Sequence, residues 1–275
     1  MHDPASEGLA PEARSGPPAV ALSVAGSDSS GGAGIQADLK TFQRFGVYGA
    51  SAVTLVTAQN SRGVREVQVL APELVAAQIA AVAEDLEVRA AKTGALGSAA
   101  GVEAVAKAIA EHGIPNLVVD PVMISKHGRR LLAEDAVETL KKRLLPRASL
   151  VTPNLDEASA LLGRPVENES QMRDAARALC DLGCAAALVK GGHLASGDAV
   201  DLLYDAGDFV RLSASRIDTS QTHGTGCTHA AAITALLARG EPLAEAVRQA
   251  KDFVTRAIRN APGLGHGSGP LDHWA

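Results

Sequence analysis

Val20-Ala21-Leu22-Ser23-Val24-Ala25 is a short apolar run that ends at Gly26, and this pattern predicts a buried β-strand. A polar loop, Ser27-Asp28-Ser29-Ser30-Gly31-Gly32-Ala33-Gly34, follows the strand. Apolar side chains then recur at helical spacing at Ile35, Leu39, Phe42 and Phe45. Gly46 comes next, and a glycine in that position is typical of a helix end. The opening segment is therefore predicted to form a strand, a loop and a helix.

The same alternation continues to the end of the chain. Further strands are predicted at residues 50–57, 64–70, 90–93, 117–119, 149–151, 185–190, 200–204 and 209–214. Helices are predicted at residues 35–45, 72–84, 98–112, 134–144, 154–162, 170–182, 225–239 and 242–259. This rhythm indicates an α/β fold with a mostly parallel sheet covered on both faces. No linker interrupts it, so we predict one domain over residues 19–275, preceded by a disordered tail of residues 1–18.

The composition of the chain limits the partners that we expect. The chain has 275 residues, a formal net charge of −5 and a pI near 5.9, so it lacks the basic surface of a nucleic-acid-binding protein. Aromatic residues make up only 3%, which argues against stacking platforms for single-stranded nucleic acid. A small anionic ligand would therefore need a local site.

The cysteines and the apolar runs bear on the compartment. The three cysteines, Cys180, Cys184 and Cys227, suit a reducing compartment and no disulfide framework. Cys180 and Cys184 are expected to be buried structural thiols. No apolar run is long enough to span a bilayer, and residues 1–18 have no apolar signal core. We therefore expect a cytoplasmic protein without a membrane partner.

Polar residues and glycines gather where the predicted strands end. In a mostly parallel sheet, ligands bind beyond the carboxyl ends of the strands. Those ends carry Gly26-Ser27-Asp28, Gln59-Asn60, Lys92-Thr93-Gly94, Asp120-Pro121, Asn154-Leu155-Asp156-Glu157 and Lys190-Gly191-Gly192-His193. This concentration predicts a catalytic cleft along one edge of the sheet.

Thr222-His223-Gly224-Thr225-Gly226-Cys227-Thr228 lies at the start of a predicted apolar helix. Its two glycines leave the backbone open where the first N–H groups of a helix lack partners, which predicts an anion site. The helix dipole is expected to favour the thiolate of Cys227. The alternative is an ordinary start of a core helix, because Gly and Thr are common there.

A dinucleotide site is the first alternative for the glycine-rich loop. Gly32-Ala33-Gly34-Ile35-Gln36-Ala37 has the letters of the G-x-G-x-x-A fingerprint. However, the predicted strand ends too early for a tight turn, and no Asp or Glu lies near residues 54–57 to bind a ribose. The G-x-x-x-x-G-K-[ST] phosphate loop is also missing. A nicotinamide or flavin site is therefore disfavoured.

The order of the motifs resembles that of the hydroxymethylpyrimidine/phosphomethylpyrimidine kinase family. The matching segments are Ala25-Gly26-Ser27-Asp28-Ser29-Ser30-Gly31-Gly32-Ala33-Gly34-Ile35-Gln36-Ala37-Asp38, Thr57-Ala58-Gln59-Asn60-Ser61-Arg62-Gly63-Val64, Lys92-Thr93-Gly94, Asp120-Pro121-Val122-Met123, Thr152-Pro153-Asn154-Leu155-Asp156-Glu157-Ala158, Lys190-Gly191-Gly192-His193 and His223-Gly224-Thr225-Gly226-Cys227-Thr228. They extend from about residue 20 to about residue 270.

The resemblance implies the ribokinase-like fold, a three-layer α/β/α sandwich. It also implies phosphorylation of hydroxymethylpyrimidine to its monophosphate and then to its diphosphate, in thiamine biosynthesis, with ATP and Mg²⁺. The small-molecule partners are then these pyrimidines and ATP. Similar enzymes are dimers, so a homodimer is expected, and activation by K⁺ is left open.

Gln59 is the expected pyrimidine-recognising residue. Its amide carries a donor and an acceptor on adjacent atoms, and an aminopyrimidine edge offers the same pair in reverse order. The resemblance assigns Gln59 the same role, and a turn-capping polar residue is the alternative. Gly26, Asp38 and Val122 are the other substrate-side residues: Gly26 lets the ring approach the backbone, and Asp38 positions the substrate.

Ala95 departs from the family, whose members often carry Met after this Lys-Thr-Gly triplet. A methionine would pack on the pyrimidine ring, so Ala95 leaves a roomier pocket and about 1–2 kcal/mol less contact energy. The breadth of substrates is therefore open.

Asn154 and Glu157 form an N-x-x-E pair that similar proteins use around the Mg²⁺-phosphate group, with Glu157 acting through water. Magnesium keeps several waters, so a single outer carboxylate is sufficient. The same pair also fits a helix-capping pattern, and both roles can hold together. Asp120 is expected in this network.

Two lysines are expected beside the transferring phosphoryl group. Lys190 supplies a point charge at a strand end. Lys251 matches a family lysine near the phosphates, and a solvated lysine on an amphipathic helix is the alternative.

Cys227 takes the position where related small-molecule kinases carry an aspartate base, with Gly224, Thr225 and Gly226 as the anion hole before it. It is expected to accept the proton of the hydroxymethyl group. In the second reaction the acceptor is a phosphate oxygen that is already ionised, so a base is hardly needed.

Two further functions remain alternatives. Pyridoxal also presents a hydroxymethyl group on a nitrogen heteroaromatic ring, so a pyridoxal/pyridoxine kinase is the nearest. A non-catalytic pyrimidine-binding regulatory module is the other, and the complete set of Lys190, Asn154, Glu157 and residues 224–227 argues against it.

Overall fold

The computed structural model describes residues 16–126, 128–192 and 197–275. Over these residues the strands form a single nine-stranded sheet. The strands are β1 Val20–Asp28, β2 Tyr48–Asn60, β3 Gly63–Val69, β4 Val88–Thr93, β5 Leu117–Val119, β6 Leu150–Val151, β7 Ala186–Gly191, β8 Ala199–Asp205 and β9 Asp208–Ala214.

The strand order is β3-β2-β1-β4-β5-β6-β7-β8-β9. The six strands from β2 through β7 pair in parallel. β3 at one edge and β8 and β9 at the other are antiparallel. The mostly parallel sheet predicted from the sequence is therefore confirmed, and the carboxyl ends of its central strands share one edge.

Helices cover both faces of the sheet. They are α1 Gly34–Arg44, α2 Pro72–Ala83, α3 Ala99–Glu111, α4 Ala136–Thr139, α5 Leu155–Leu162, α6 Glu169–Asp181, α7 Thr225–Ala238 and α8 Leu243–Arg259. α1, α7 and α8 pack on one face, and the core on the other face contains residues of α2 to α6. Neighbouring strand residues divide between the faces, since Val118 packs with α7 and α8 while Val119 packs with α2 and α3. This is the predicted three-layer α/β/α sandwich.

The helix predicted at residues 134–144 is less regular than expected. Ala136–Thr139 is α-helical, but Leu140–Leu144 forms a π-helical turn and Leu145–Arg147 a 3₁₀ turn. Pro146 lies in this last turn and has no N–H to continue an α-helical hydrogen-bond ladder.

β2 extends beyond its predicted end at residue 57. It continues to Asn60 and pairs antiparallel with β3, with a bulge between Ala58 and Gln59. Gln59 therefore lies within the strand, before the turn, where the sequence placed it beyond the strand. The bulge changes the direction in which the side chains after it point.

Most of the predicted N-terminal tail lies outside the described residues. Of the tail predicted to be disordered, residues 1–15 lie outside the described residues, and β1 begins at Val20. Among the residues that the structure describes, no helix has both the length and the apolar character needed to cross a membrane.

Candidate active site

The N-terminus of α7 lies against the carboxyl ends of the central strands. Gly226, in the first turn, approaches them closely: a Cβ atom on it would be 3.2 Å from Lys190 Nζ and 3.8 Å from Asp120 Oδ2. The first N–H groups of an α-helix have no partner within the helix and attract anions. The predicted anion loop and the predicted phosphate-side lysine are thus brought together.

Lys190, in β7, and Asp120, just after β5, form an ion pair at this edge. Lys190 Nζ lies 3.0 Å from Asp120 Oδ1, which also accepts a hydrogen bond of 3.2 Å from the Thr152 hydroxyl. Burial alone would raise the pKa of Asp120, but the charges of Lys190 and Lys92 outweigh it and lower that pKa. Asp120 is therefore ionised at neutral pH. Its second oxygen, Oδ2, is buried and has no hydrogen-bond partner among the described residues.

Asn154 and Glu157 form a complete capping box at the start of α5. The Asn154 side chain accepts the N–H of Glu157, and the Glu157 carboxylate accepts the N–H of Asn154, each at 2.8 Å. Burial raises the pKa of Glu157 to about 7, although the charge of Lys190 opposes this shift. The backbone N–H of Lys190 donates to Pro153 next to this box. The capping function is therefore present, and a titrating carboxyl lies close to Lys190.

Gly224 connects the anion loop to the glycine-rich loop after β1. It caps α7 with a positive φ of 81°, and a Cβ atom there would overlap the carbonyl oxygen of Gly32. Thr225 begins α7, and its hydroxyl donates to the Thr222 carbonyl at 2.8 Å. Only glycine at position 224 allows the two loops to pack this closely.

Cys227 is half-buried in the first turn of α7. Burial raises the pKa of its thiol to about 11, and the nearby Lys92 charge and the Gly34 N–H only partly oppose this. The expectation that the helix terminus favours a thiolate is therefore wrong, because desolvation of the charged sulfur outweighs the favourable charges. At neutral pH the side chain is a thiol.

A buried ion pair that the sequence analysis did not assign lies beneath Cys227. Lys92 Nζ, in β4, is 2.9 Å from both carboxylate oxygens of Asp38, in α1, and the Ser23 hydroxyl donates to Asp38 at 2.6 Å. Lys92 and Asp38 are both fully buried. Burial lowers the pKa of Lys92, but the charge of Asp38, its hydrogen bond and the charges of other nearby groups such as Asp120 together outweigh this and raise it overall. A lysine inside the predicted buried strand at residues 90–93 was the available signal.

Asp38 thus has a different neighbourhood from the one expected. Its carboxylate faces Lys92 and Ser23 and has no exposed surface. Contact between Asp38 and a substrate stays a prediction.

Gln59 meets a second buried pair just before the start of α7. His223 Nε2 lies 2.8 Å from Asp28 Oδ2, and the Gln59 amide lies 3.2 Å from the same nitrogen. His223 was quoted in the anion motif without a role of its own. Its pairing with Asp28, 195 residues earlier, has no signal in the local sequence.

Lys251 was predicted to lie near the phosphates, but its hydrogen-bond partner is neither Lys190 nor Asp120. Its Nζ lies 2.8 Å from Asp201 Oδ2, a buried carboxylate in β8. Asp201 Oδ1 accepts the backbone N–H of Gly191 at 3.1 Å. Lys251 therefore reaches the segment after Lys190 through Asp201.

The remaining predicted residues also lie at the strand ends. Val122 is half-buried directly after Pro121, and Gly26 packs so closely on Leu55 that a Cβ atom would be 2.5 Å from Leu55 Cδ1. Ala95 is buried, and its carbonyl accepts from the Thr54 hydroxyl at 2.5 Å. His193, quoted in the Lys-Gly-Gly-His motif, lies outside the described residues.

Known proteins are similar to this chain in both sequence and fold. The chain is 53% identical over 259 residues to the hydroxymethylpyrimidine/phosphomethylpyrimidine kinase of Streptomyces coelicolor, which covers 94% of this chain and 96% of that protein. It is 51% identical to the thiamine biosynthesis bifunctional protein of Geobacter sulfurreducens, but spans only 51% of that protein.

Solved structures of small-molecule kinases superpose on this chain. A phosphomethylpyrimidine kinase from Clostridium difficile superposes with a TM-score of 0.77 at 42% identity, covering 87% of this chain and 99% of that one. The pyridoxal kinase of Staphylococcus aureus in complex with AMP-PCP and pyridoxal has a TM-score of 0.87 at 37% identity, covering 94% and 95%. The sequence profile of phosphomethylpyrimidine kinase matches residues 28–272. With nearly the whole chain covered by that profile, this protein belongs to the phosphomethylpyrimidine kinase family.

Proposed function

We propose that this protein uses ATP to phosphorylate 4-amino-5-hydroxymethyl-2-methylpyrimidine to its monophosphate, and the monophosphate to its diphosphate, in thiamine biosynthesis. The observation that carries the proposal is the approach of Gly226 to Lys190 and Asp120, which places a helix N-terminus beside a lysine ammonium. Relatives that the chain matches almost end to end carry this activity in their names. We assign the activity to one domain over residues 19–275.

Phosphoryl transfer needs positioning and charge stabilisation more than covalent chemistry. The N–H groups of Gly226 and Cys227, in the first turn of α7, are the anion hole for the transferring group, whereas the N–H of Thr225 donates to the Thr222 carbonyl at 3.3 Å. Lys190 adds a positive charge beside them. These groups act on phosphoryl oxygens, which both reactions share, so both steps use them equally.

Mg²⁺ fits the carboxylates at this edge. Among the described residues no group of three or more His, Cys, Asp or Glu side chains could hold a metal ion. Mg²⁺ is usually bound through one or two carboxylates together with substrate phosphates and water. The free Asp120 Oδ2 and the Glu157 carboxyl supply oxygen atoms of the kind that Mg²⁺ prefers. When bound, the ion would neutralise charge on the phosphate oxygens. Asp120 and Glu157 would hold and orient its shell, Glu157 through water, and Asn154 holds Glu157 through the capping box. Activation by K⁺ is tested in the same ATP-turnover assay, with and without added K⁺.

On the substrate side, Gln59 pairs with the amino group and ring nitrogen of the pyrimidine. Gly26 and Val122 line the ring, and Asp38 orients the site through Lys92. Cys227 accepts the hydroxymethyl proton in the first reaction. Because its thiol has a pKa of about 11, it must first lose its own proton, so this step should speed up as the pH rises.

One comparison tests the function: ATP turnover by the full chain with hydroxymethylpyrimidine, its monophosphate and pyridoxal, side by side. We expect turnover of both pyrimidines at millimolar Mg²⁺ and none with a chelator. Failure with both pyrimidines would overturn the proposal.

Pyridoxal phosphorylation is a second candidate. It is favoured by the close superposition on pyridoxal kinases, including one from Bacillus subtilis at 41% identity and a TM-score of 0.86. The small Ala95 side chain leaves room for a different ring. The homodimer and the cytoplasmic location expected from the sequence also stay proposals, which size-exclusion chromatography and cell fractionation test.

A further inference from the structure

Two side chains converge on one nitrogen atom beside the glycine loop, residues 29–34. His223 Nε2 lies 2.8 Å from Asp28 Oδ2 and 3.2 Å from the end of the Gln59 amide that is placed as nitrogen. A single ring nitrogen either donates or accepts a hydrogen bond. The contact with Asp28 therefore decides what His223 can offer to Gln59.

Asp28 settles the direction of the first contact. Its Oδ1 accepts the N–H and the hydroxyl of Ser30, both at 2.8 Å, and its Oδ2 accepts the N–H of Ala33 at 2.9 Å. Burial raises the pKa of Asp28, but hydrogen bonds from His223 and Ser30 outweigh it and lower that pKa below its usual value. An ionised carboxylate only accepts hydrogen bonds. His223 Nε2 therefore carries a proton, whether the ring is neutral or charged.

The second contact then fixes the Gln59 amide. A protonated His223 Nε2 facing the Gln59 nitrogen would bring two donors together. The amide nitrogen and oxygen are distinguished only by their partners, so the reversed orientation is the consistent one. The other end of the amide lies 3.1 Å from Thr57 Oγ1, whose hydroxyl lies 3.0 Å from the Ser27 carbonyl and donates to it. With nitrogen on that side, Thr57 accepts from Gln59, and every contact pairs a donor with an acceptor.

We propose that Asp28 and His223 hold the Gln59 amide with its oxygen toward His223 and its nitrogen toward Thr57, and that this orientation selects a 4-aminopyrimidine over its 4-oxo analogue. The selection rests on the proposed function, in which Gln59 pairs with the pyrimidine edge. An aminopyrimidine offers a donor and a bare ring nitrogen, which match the amide oxygen and nitrogen. The oxo analogue offers an acceptor and a ring N–H and needs the opposite amide. Asp28 and His223 are positioning residues, because they act through Gln59.

Two variants at the two ends of the same amide test the selection. In His223→Gln, the new side chain can donate to Asp28 and accept from Gln59 at the same time, so the Gln59 amide can reverse. In Thr57→Val, the partner at the other end is lost while His223 stays. The measurement is kcat/KM with ATP for the amino compound and for its 4-oxo analogue. We expect His223→Gln to lower the amino-to-oxo ratio by about tenfold or more, whereas Thr57→Val lowers activity and keeps the ratio. An unchanged ratio in His223→Gln with a reduced ratio in Thr57→Val would overturn the proposal.

A second measurement does not depend on activity. Nitrogen-15 NMR of the histidine-labelled full chain reports whether His223 Nε2 has a bonded proton, and the signal is assigned by its loss in His223→Gln. A proton on Nε2 at neutral pH supports the orientation of Gln59, and a bare Nε2 overturns it. If the proton is present but neither pyrimidine is turned over, the proposed function has failed and the orientation of Gln59 stands.

Discussion

Lys251 Nζ lies 2.8 Å from Asp201 Oδ2, and the other oxygen of the same carboxylate holds the backbone N–H of Gly191. Asp201 pairs across the sheet with Lys190, so the carboxylate and the Lys190 side chain lie on the same face. Lys251 thus forms an ion pair with Asp201, and Asp201 in turn holds the backbone directly after Lys190.

This relationship predicts that Lys251 acts through Asp201. Asp201→Asn leaves a buried ammonium without its ionic partner and should cost about 3–5 kcal/mol of unfolding free energy. The double variant Asp201→Asn with Lys251→Met should be less destabilised than the sum of the two single variants. Denaturant unfolding of all four proteins measures this coupling. If Lys251 instead contacts phosphate directly, Lys251→Met alone would raise the KM for ATP, and Asp201→Asn would leave it unchanged.

Gly226→Ala should slow phosphoryl transfer while leaving the fold intact. The new methyl would lie 3.2 Å from Lys190 Nζ, so the ammonium has to shift away from the anion hole. A misplacement of about 1 Å can cost about 100-fold in rate, and the shift needed here is a few tenths of an ångström, so we expect a smaller loss in kcat, of up to about tenfold.

The control for this substitution is Gly63→Ala in β3, where no atom lies within 4 Å of the added methyl. Steady-state rates with both pyrimidines and the thermal midpoint distinguish the two variants. Equal kcat values in the two variants would contradict the assigned position of Lys190.

The first phosphorylation should depend on pH through Cys227. The pKa of its thiol is raised to about 11, so the thiolate fraction grows about tenfold per pH unit between pH 7 and pH 10. The rate with hydroxymethylpyrimidine should rise over this range, and the rate with the monophosphate should not.

Cys227→Ala provides the matched comparison. It should flatten the pH dependence of the first reaction and lower its rate by about 100-fold at high pH, with little effect on the second reaction. Equal losses in both reactions would show that Cys227 is not the proton acceptor.

Glu157 should make the protein less stable as the pH rises. Its pKa is raised to about 7 in the fold, above the value for an unfolded chain, so the folded state favours the protonated carboxyl. The resulting stability is present in acid and is lost as the pH rises through about 7, by up to about 3 kcal/mol.

Glu157→Gln keeps an oxygen for the Asn154 N–H and removes the titration. Urea unfolding between pH 5 and pH 8 should therefore show a decline for the natural chain and no such decline for the variant. Parallel curves for the two proteins would refute this prediction. In the natural chain, Mg²⁺ should also bind more tightly above pH 7, because it competes with this proton.

The fold was predictable because its signals are local. The apolar run at 20–25, the glycine-marked helix ends and the strand–helix alternation are set by side-chain burial and backbone propensity within short windows. The exceptions have local causes as well, since the bulge before Gln59 and the proline at 146 alter one strand end and one helix.

The candidate site was predictable only in part. Glycines and polar residues at strand ends identified Lys190, Asp120 and the start of α7, since parallel topology gathers strand ends at one edge. Lys92, His223 and Asp201 were not assigned, because their partners Asp38, Asp28 and Lys251 are separated from them by 54, 195 and 50 residues.

The sequence by itself determined the alternating elements, the parallel sheet and the set of polar residues at its edge, because these follow from periodicity and turn chemistry. Only the tertiary structure decided which charges face each other, and with them the protonation of Cys227 and Glu157. Those properties depend on burial and on distances between segments remote in the chain, and a protonation state changes when either of them changes.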